Sequence, residues 1–415
     1  MKHSIIRRSI LFIGAFFLGH TLNYVLLMAA NRFLTDGFGL FYTAILATTV
    51  LMAPGVAALM ALSRRYTILF SQGGESLAIA DCLALFSRGL KVGLPVALAV
   101  ALGLALVGPS LGIESFPLMI LIPLAALALL AVELERVLFQ SMLRFVWSSV
   151  LWVVSQASQL ILALVPLALG GRVWMVFAGV VLGAAMPAWV SFRKLGRRAA
   201  GAVSAPSAQP LELKTDIPFI ASFSLFILLC SLDILIAYWR LPKAMLDVYA
   251  ASAFLPKAIV TATLPVAQIV LPVIISQRAD GLSARFSIVK AFGLVTLVGL
   301  AAALFLVVAL PLLQQTPLAV RKLDMGIVST LALGAVALGA ARLAMVIRLS
   351  ADQRGLALLQ SGPIIAIAAW GLLGDVDAAG LANVYAVVGW GFMIITIILL
   401  LRSARLPRSI EGTRG

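Results

Sequence analysis

Long apolar segments separated by short polar ones run through most of the 415-residue sequence. A transmembrane helix needs about 20 predominantly apolar residues, and twelve segments meet this requirement. They cover residues 9–30, 38–62, 90–111, 116–137, 146–170, 172–192, 217–239, 249–276, 288–313, 325–348, 355–374 and 380–402. The sequence lacks the ten-residue alternating segments of a membrane β-barrel. The pattern therefore predicts an all-α, polytopic membrane protein whose first segment, long for a signal peptide, is a retained helix.

The composition supports the same class of protein. Hydrophobic residues make up 62% of the chain and charged residues 11%, whereas soluble globular proteins have roughly 45–50% and about 25%. The formal net charge of +15 would favour a nucleic-acid partner in a soluble protein. Here the basic residues flank the apolar segments, so membrane topology explains the charge and no nucleic-acid partner is predicted.

The distribution of Lys and Arg predicts the orientation of the chain. With the N-terminus in the cytoplasm, 23 of the 31 basic residues fall on the cytoplasmic side, 6 fall in outer loops and 2 fall inside spans. Cytoplasmic loops of membrane proteins carry an excess of Lys and Arg. We therefore expect twelve spans with both termini in the cytoplasm.

A basic stretch rich in small residues and proline divides the chain into halves. Residues 193–216 have the composition of a linker, and the basic cluster is expected to face anionic headgroups. The sequence thus predicts an N-terminal six-helix lobe over 1–192, a cytoplasmic linker over 193–216, a C-terminal six-helix lobe over 217–402 and a cytoplasmic tail over 403–415.

The two halves show weak internal similarity. Phe12–Phe16 (FIGAF) aligns with Phe219–Phe223 (FIASF), and nearly the same offset places Phe41 opposite Tyr249. In each half a short outer turn leads into an apolar helix and then into a basic segment. Two six-span halves of the same orientation are typical of a transporter built from parallel repeats.

Several segments resemble those of a known family of flippases. The turn Phe33–Phe41 (FLTDGFGLF) is similar to the turn between the first two helices of oligosaccharide flippases, and Leu138–Phe145 (LFQSMLRF) to the turn before their fifth helix. Leu232–Leu235 (LDIL) and Val248–Ala253 (VYAASA) are similar to parts of their seventh and eighth helices. The chain therefore resembles the polysaccharide transporters and O-antigen flippases of the multidrug/oligosaccharidyl-lipid/polysaccharide (MOP) exporter superfamily.

This resemblance implies two six-helix lobes around a central cavity that opens to each side in turn. It implies that the substrate is an oligosaccharide on a polyprenyl pyrophosphate, moved from the inner to the outer leaflet for surface polysaccharide synthesis. Coupling to H⁺ or Na⁺ would drive the movement, with no cofactor and no catalytic residue. The expected partners are membrane lipids, a polysaccharide polymerase and glycosyltransferases.

Two opposite charges are predicted at similar depth in the seventh and eighth spans. Asp233 and Lys257 each lie 12 residues from position 245 in the connecting turn, roughly 10 Å inside the outer boundary if each residue adds 1.5 Å. A mutual ion pair is one interpretation. The other is that Lys257 attracts a pyrophosphate or that Asp233 binds a coupling cation, because charges within spans usually pair or face a cavity.

Four further polar residues are candidate substrate or ion contacts. His20 and Asn23 share one face of the first span, where they either form hydrogen bonds between helices or contact a sugar, phosphate or proton. Arg342, in the tenth span, either reaches the inner headgroups or binds phosphate. Arg64, at the inner end of the second span, either sets topology or recruits pyrophosphate.

Two local features are predicted to be structural. Glu133 and Arg136 are three residues apart on one helix and should form an ion pair. Gly103, Gly179 and Gly183 should permit close helix packing, because small residues let helix backbones approach each other in membranes.

Two other classes of function remain open. A drug or metabolite exporter of the same superfamily would share the fold, although cationic drugs favour intramembrane carboxylates. A membrane glycan polymerase would need a sizeable outer loop with catalytic residues, and the outer loops here are short. Two cysteines and two histidines provide no disulfide framework and no metal site, and no Walker motif is found. We therefore predict a transporter rather than an enzyme.

Overall fold

The computed structural model describes residues 2–34, 37–107, 115–142, 144–199, 213–263, 285–315, 320, 322–349 and 356–403, although not every side chain within them. The regular elements in this part of the chain are all helices. They are α1 (Lys2–Phe33), α2 (Phe38–Val107), α3 (Phe116–Ser141), α4 (Phe145–Ala168), α5 (Val173–Ala199), α6 (Leu213–Arg240), α7 (Lys243–Ala262), α8 (Arg285–Leu313), α9 (Met325–Leu349), α10 (Leu356–Leu373) and α11 (Ala378–Ser403).

The predicted all-α membrane architecture is confirmed. Ten helical segments of the described chain are long and apolar enough to cross a membrane, and α2 contains two of them, Phe38–Met60 and Glu75–Leu106. The other two predicted spans coincide with helix α1 and with α10, whose apolar part is shorter. The predicted eighth span runs to residue 276, beyond the described end of α7.

The expected loop between the second and third spans is helical instead. The connecting stretch belongs to the same helical element, α2, which runs from residue 38 to 107, and between residues 63 and 89 it contains no proline. The two limbs of α2 nevertheless lie side by side: side chains added at Gly55 and Gly93 would meet Leu130 and Leu127, on one turn of α3. A straight helix would separate these glycines by about 57 Å, so α2 reverses direction within its length.

Contacts at the reversal hold the polar ends of several helices together. Glu75 of α2 forms an ion pair with Arg144 at the start of α4, and Arg198 of α5 lies 3.8 Å from the other carboxylate oxygen of Glu75. The hydroxyl of Ser141, the last residue of α3, donates to the carbonyl of Ser63 at 3.1 Å. These contacts join α2, α3, α4 and α5 at one end of the bundle.

The chain divides into two compact units. Unit 1 comprises Met1–Ala251 with Leu318–Lys322, and unit 2 comprises Ser252–Pro317 with Leu323–Gly415. Helix α6 belongs to unit 1, where it packs against α2. The lobe boundaries expected from the sequence, with a linker over 193–216, stay a prediction, since residues 200–212 lie outside the described part of the chain.

Glycines bring α4 and α5 of unit 1 into close contact. A Cβ at Gly179 would come within 2.5 Å of the Leu162 carbonyl oxygen, and one at Gly183 would collide with the backbone of Gln159. The predicted packing role is confirmed for these two residues. It is wrong for Gly103, where a Cβ would meet no atom within 4 Å, because that part of α2 has a largely exposed apolar surface.

Unit 2 is built around α9. Of the residues in its apolar window, 78% are buried. Gly334 faces the Ala386 backbone of α11, and Gly339 faces Thr263 after α7.

Helices α8 and α11 border an open apolar groove of about 560 Å³. Asp324 and Asp377 accept hydrogen bonds from backbone N–H groups in the first turns of α9 and α11, which caps both helices.

Candidate functional site

A buried carboxylate with aromatic hydroxyls around it lies where α1, α2, α6 and α7 of unit 1 meet. Asp233 of α6 is fully buried, and the Tyr249 hydroxyl donates to its Oδ2 at 3.2 Å. The hydroxyl of Tyr42 interacts electrostatically with Asp233, Tyr249 and Tyr24. We call these four residues the Asp233 cluster. A carboxylate in such a place needs hydrogen bonds or a cation.

A second carboxylate joins the two turns that the sequence marks as repeats. Asp247 Oδ1 accepts the Gly39 backbone N–H at 2.8 Å, and its Oδ2 accepts Lys322 Nζ at 3.1 Å. A side chain at position 39 would meet Leu246 and Asp247, so this glycine allows α7 to approach the start of α2. Lys322 has a backbone φ of +55°, which is unusual for a residue with a side chain.

A row of rings and a guanidinium connects α1, α4 and α3. The His20 ring centroid is 4.4 Å from that of Phe16 and 5.4 Å from that of Trp152. The guanidinium carbon of Arg136 lies 4.4 Å from the Trp152 ring centroid. We call His20, Trp152, Arg136 and Glu133 the Arg136 stack.

The Arg136 stack contains the ion pair expected from the sequence. Arg136 Nη1 donates to Glu133 Oε1 at 2.5 Å, which confirms the predicted contact along one turn of α3. Two other donors in the stack, Arg136 Nε and Trp152 Nε1, are buried and have no acceptor among the residues that the structure describes. Buried donors without an acceptor are rare in folded proteins.

Two cations lie within helices of unit 2. Lys257 of α7 is half-buried, with Nζ 5.2 Å from the centroid of the Tyr385 ring on α11. Arg342 is also half-buried, on the otherwise well-buried α9. An ammonium over an aromatic ring is stabilised by the negative face of the ring.

The structure gives less detail for the two remaining candidate residues, Asn23 and Arg64. Asn23 is half-buried on α1, one turn from His20. Arg64 falls in α2, but its side chain lies outside the described part of the structure. The expected pair between Asp233 and Lys257 concerns residues of different units and stays a prediction. Within unit 1 the structure places His20 and Arg136 beside the same indole, that of Trp152, which the sequence did not predict.

Sequence reasoning also missed several buried acids. Asp81 and Glu135 are buried in unit 1, and Asp247 is 6% exposed. Neither carboxylate oxygen of Glu135 accepts a hydrogen bond of ordinary geometry, and Ser191 of α5 is a polar neighbour. Of these acids, only Asp247 could have been found from the sequence. It lies near the start of α7, at the position that the internal repeat aligns with Gly39. Among the described residues, no three His, Cys, Asp or Glu side chains are grouped as metal ligands.

Comparisons with known proteins identify the architecture. No family model and no curated protein matches the sequence. An inward-facing multidrug resistance MATE transporter of the MOP superfamily matches the structure with a TM-score of 0.71 at 11% identity, over 95% of this chain and 98% of that one. The lipid II flippase MurJ in an inward closed conformation matches with a TM-score of 0.70 at 14% identity, over 96% and 88%.

A MOP superfamily transporter from Pyrococcus furiosus, described as having a binding pocket of reverse polarity, matches with a TM-score of 0.67 at 12% identity, over 96% and 95%. The chain has the fold of MOP superfamily transporters. These structural matches extend over nearly the whole chain and therefore include residues of both units. The identity is too low to carry over a substrate or any residue's role.

Proposed function

We propose that this protein is a flippase that moves a polyprenyl-pyrophosphate-linked oligosaccharide from the inner to the outer leaflet by alternating access. The observation that carries the proposal is that cations lie within the apolar helices on aromatic rings: Arg136 on Trp152 and Lys257 on Tyr385. A ring stabilises a cation without neutralising its charge. Such cations attract an anionic headgroup that enters a low-dielectric interior.

The open apolar groove of unit 2 suits the other end of this substrate. It is lined by Phe292, Leu297 and Leu300 of α8 and by Met393, Ile397 and Leu400 of α11. A hydrocarbon chain in the groove would keep its apolar surface out of water while its headgroup passes through the protein.

The Asp233 cluster is the proposed site of the coupling cation, H⁺ or Na⁺. Its carboxylate is fully buried, and the Tyr249 hydroxyl is a fixed donor to it. Ionisable groups within spans are costly and commonly serve ion pathways. In this proposal the protein is not an enzyme. It resides in the bacterial inner membrane with both termini in the cytoplasm, beside the polymerase and glycosyltransferases that use and supply its substrate.

A multidrug exporter is the second candidate, because the interior of unit 1 is more acidic than the sequence indicated. Asp81, Glu135 and Asp247 are buried in addition to Asp233, and carboxylates favour cationic drugs. MATE transporters are among the structures of the same fold. Drug-efflux assays on the deletion strain described below distinguish this candidate from the flippase.

The test of the flippase is a deletion strain in which lipid-linked glycans and surface polysaccharide are both quantified. We expect complete lipid-linked repeat units to accumulate in the inner leaflet while the surface polymer is lost. Unchanged lipid-linked glycans would refute the proposal. Rescue by wild-type protein should fail with Lys257→Gln and Arg342→Gln but succeed with Lys290→Gln, a lysine that also lies on an aromatic ring but is exposed.

A further inference from the structure

Two buried donors of the Arg136 stack have no hydrogen-bond acceptor among the described residues. Arg136 is 9% exposed, and its Nε donates no hydrogen bond; Trp152 Nε1 is also buried without an acceptor. The two nitrogens belong to groups whose centres are 4.4 Å apart. A buried N–H group without an acceptor costs free energy, and an acceptor that reaches both donors would recover it.

The orientation of both groups is fixed before any ligand arrives. Glu133 holds Nη1 of Arg136, and Trp152 covers one face of the guanidinium. The Cδ1–Nε1 edge of Trp152 lies against Gly19 of α1, where an added Cβ would collide with it. The unused donors are therefore held in place by the fold, and little side-chain entropy remains to be lost on binding.

The chemistry of the stack suits an oxyanion such as a phosphate. Arginine presents several N–H donors in one plane, an arrangement that matches phosphate and carboxylate oxygens. Glu133 already neutralises part of the guanidinium charge, so recognition depends on directed donors as well as on charge. His20 lies next to Trp152, so its ring borders the same donors.

The depth of Arg136 suits a headgroup that enters from the leaflet nearby. It lies five residues before the end of α3 at Ser141, or about 8 Å along the helix axis. The topology expected from the sequence places this end at the cytoplasmic face. A headgroup from the inner leaflet would meet Arg136 soon after it enters the protein.

We propose that Arg136, Trp152 and His20 form the binding site for the pyrophosphate group of the lipid-linked substrate. This inference rests on the proposed flippase function and assigns that function a first anion site in unit 1. The residues come from α1, α3 and α4. The site differs from the candidate contacts in unit 2, Lys257 and Arg342.

The test is equilibrium binding of farnesyl pyrophosphate to the full-length protein in detergent, with farnesol as the uncharged control. We expect wild-type protein to bind the pyrophosphate, and Arg136→Gln to bind it about 10- to 100-fold more weakly, in line with the loss of one charged, hydrogen-bonded contact. Arg136→Lys should bind with intermediate affinity, because it keeps the charge but not the planar donors.

A matched control comes from the exposed pair Arg193 and Trp189 on α5, where the guanidinium carbon is 5.7 Å from the ring centroid. Arg193→Gln should leave the affinity unchanged. Equal affinity of wild-type protein and a monodisperse Arg136→Gln variant would overturn the site. If Arg136→Gln does not fold, the same measurement is made on Trp152→Phe, which removes the Nε1 donor. Wild-type affinity of Trp152→Phe for farnesyl pyrophosphate would also overturn the site.

Two further results separate the site from the function. If phosphatidylglycerol vesicles compete as strongly as farnesyl pyrophosphate, the site binds ordinary lipid headgroups and the assigned substrate role is wrong. If Arg136-dependent pyrophosphate binding persists while the deletion strain keeps normal lipid-linked glycans, the anion site stands and the flippase proposal falls.

Discussion

The Asp233 cluster and the Arg136 stack are both groups of polar residues in the interior of unit 1. They differ in whether their buried polar atoms have hydrogen-bond partners. In the cluster, the Asp233 carboxylate accepts a hydrogen bond from Tyr249 and has tyrosine hydroxyls nearby. In the stack, two N–H groups lack an acceptor. Both lie among the apolar helices of unit 1.

This difference indicates different roles. A buried acceptor with its donor present contributes to holding helices in one arrangement. Donors that remain without a partner destabilise the ligand-free protein, and an anionic ligand would offset that cost. The comparison predicts that changes in the Asp233 cluster lower stability as well as binding of the proposed coupling cation, whereas changes at Arg136 mainly lower anion affinity.

The largest expected loss of stability comes from removing the carboxylate of Asp233. Asp233→Ala leaves the Tyr249 hydroxyl buried without its acceptor and should lower the free energy of unfolding by about 3 kcal/mol. Thermal unfolding in detergent would measure this. Asp233→Asn keeps an acceptor oxygen and should lose less; an Ala variant as stable as wild type would remove the distinction between the cluster and the stack.

A smaller loss is expected where α1 meets Trp152. Gly19→Ala would place a methyl group against the indole and should cost about 2 kcal/mol through overpacking, with weaker pyrophosphate binding because Trp152 is displaced. Gly14→Ala on the same helix meets no atom within 4 Å. It should leave the unfolding midpoint unchanged or raise it, and equal behaviour of the two variants would contradict the close contact.

Removal of a single satisfied donor should have a still smaller effect. Tyr249→Phe deletes the hydroxyl that donates to Asp233 and should lower stability by about 1 kcal/mol. The fully buried Phe254 on the same helix offers a control without a hydroxyl: Phe254→Leu should reduce stability without affecting any polar contact. The prediction fails if Tyr249→Phe unfolds at the wild-type temperature in the same detergent.

The smallest effect is expected at the exposed end of the Asp247 bridge. Lys322→Gly and Lys322→Ala both remove the contact with Asp247, but only glycine adopts a φ of +55° without a steric cost. The glycine variant should therefore be more stable than the alanine variant by about 1 kcal/mol. Paired thermal unfolding curves test this difference, and the reverse order would show that the backbone conformation at position 322 carries no strain.

The sequence predicted some pairs correctly because their partners are neighbours along the chain. Glu133 and Arg136 lie one helical turn apart, so their contact follows from helix geometry alone. Gly179 and Gly183 are four residues apart, also about one helical turn, and form one small face on α5 that packs on α4. Gly103 shows the limit of that argument, because a small residue permits close packing but does not specify which helix will approach it.

Hydropathy and segment length are enough to predict an all-α membrane protein, and nearly all of the predicted spans coincide with described helical segments. These are local properties that can be evaluated along the chain without knowledge of the fold. The reversal of α2, the contact of Asp247 with Gly39 and the stacking of Arg136 on Trp152 became known from the three-dimensional structure. A helix in lipid is apolar on all sides and lacks the stripe that marks the inner face of a soluble helix. Its rotation and its partners are therefore set by packing against other helices.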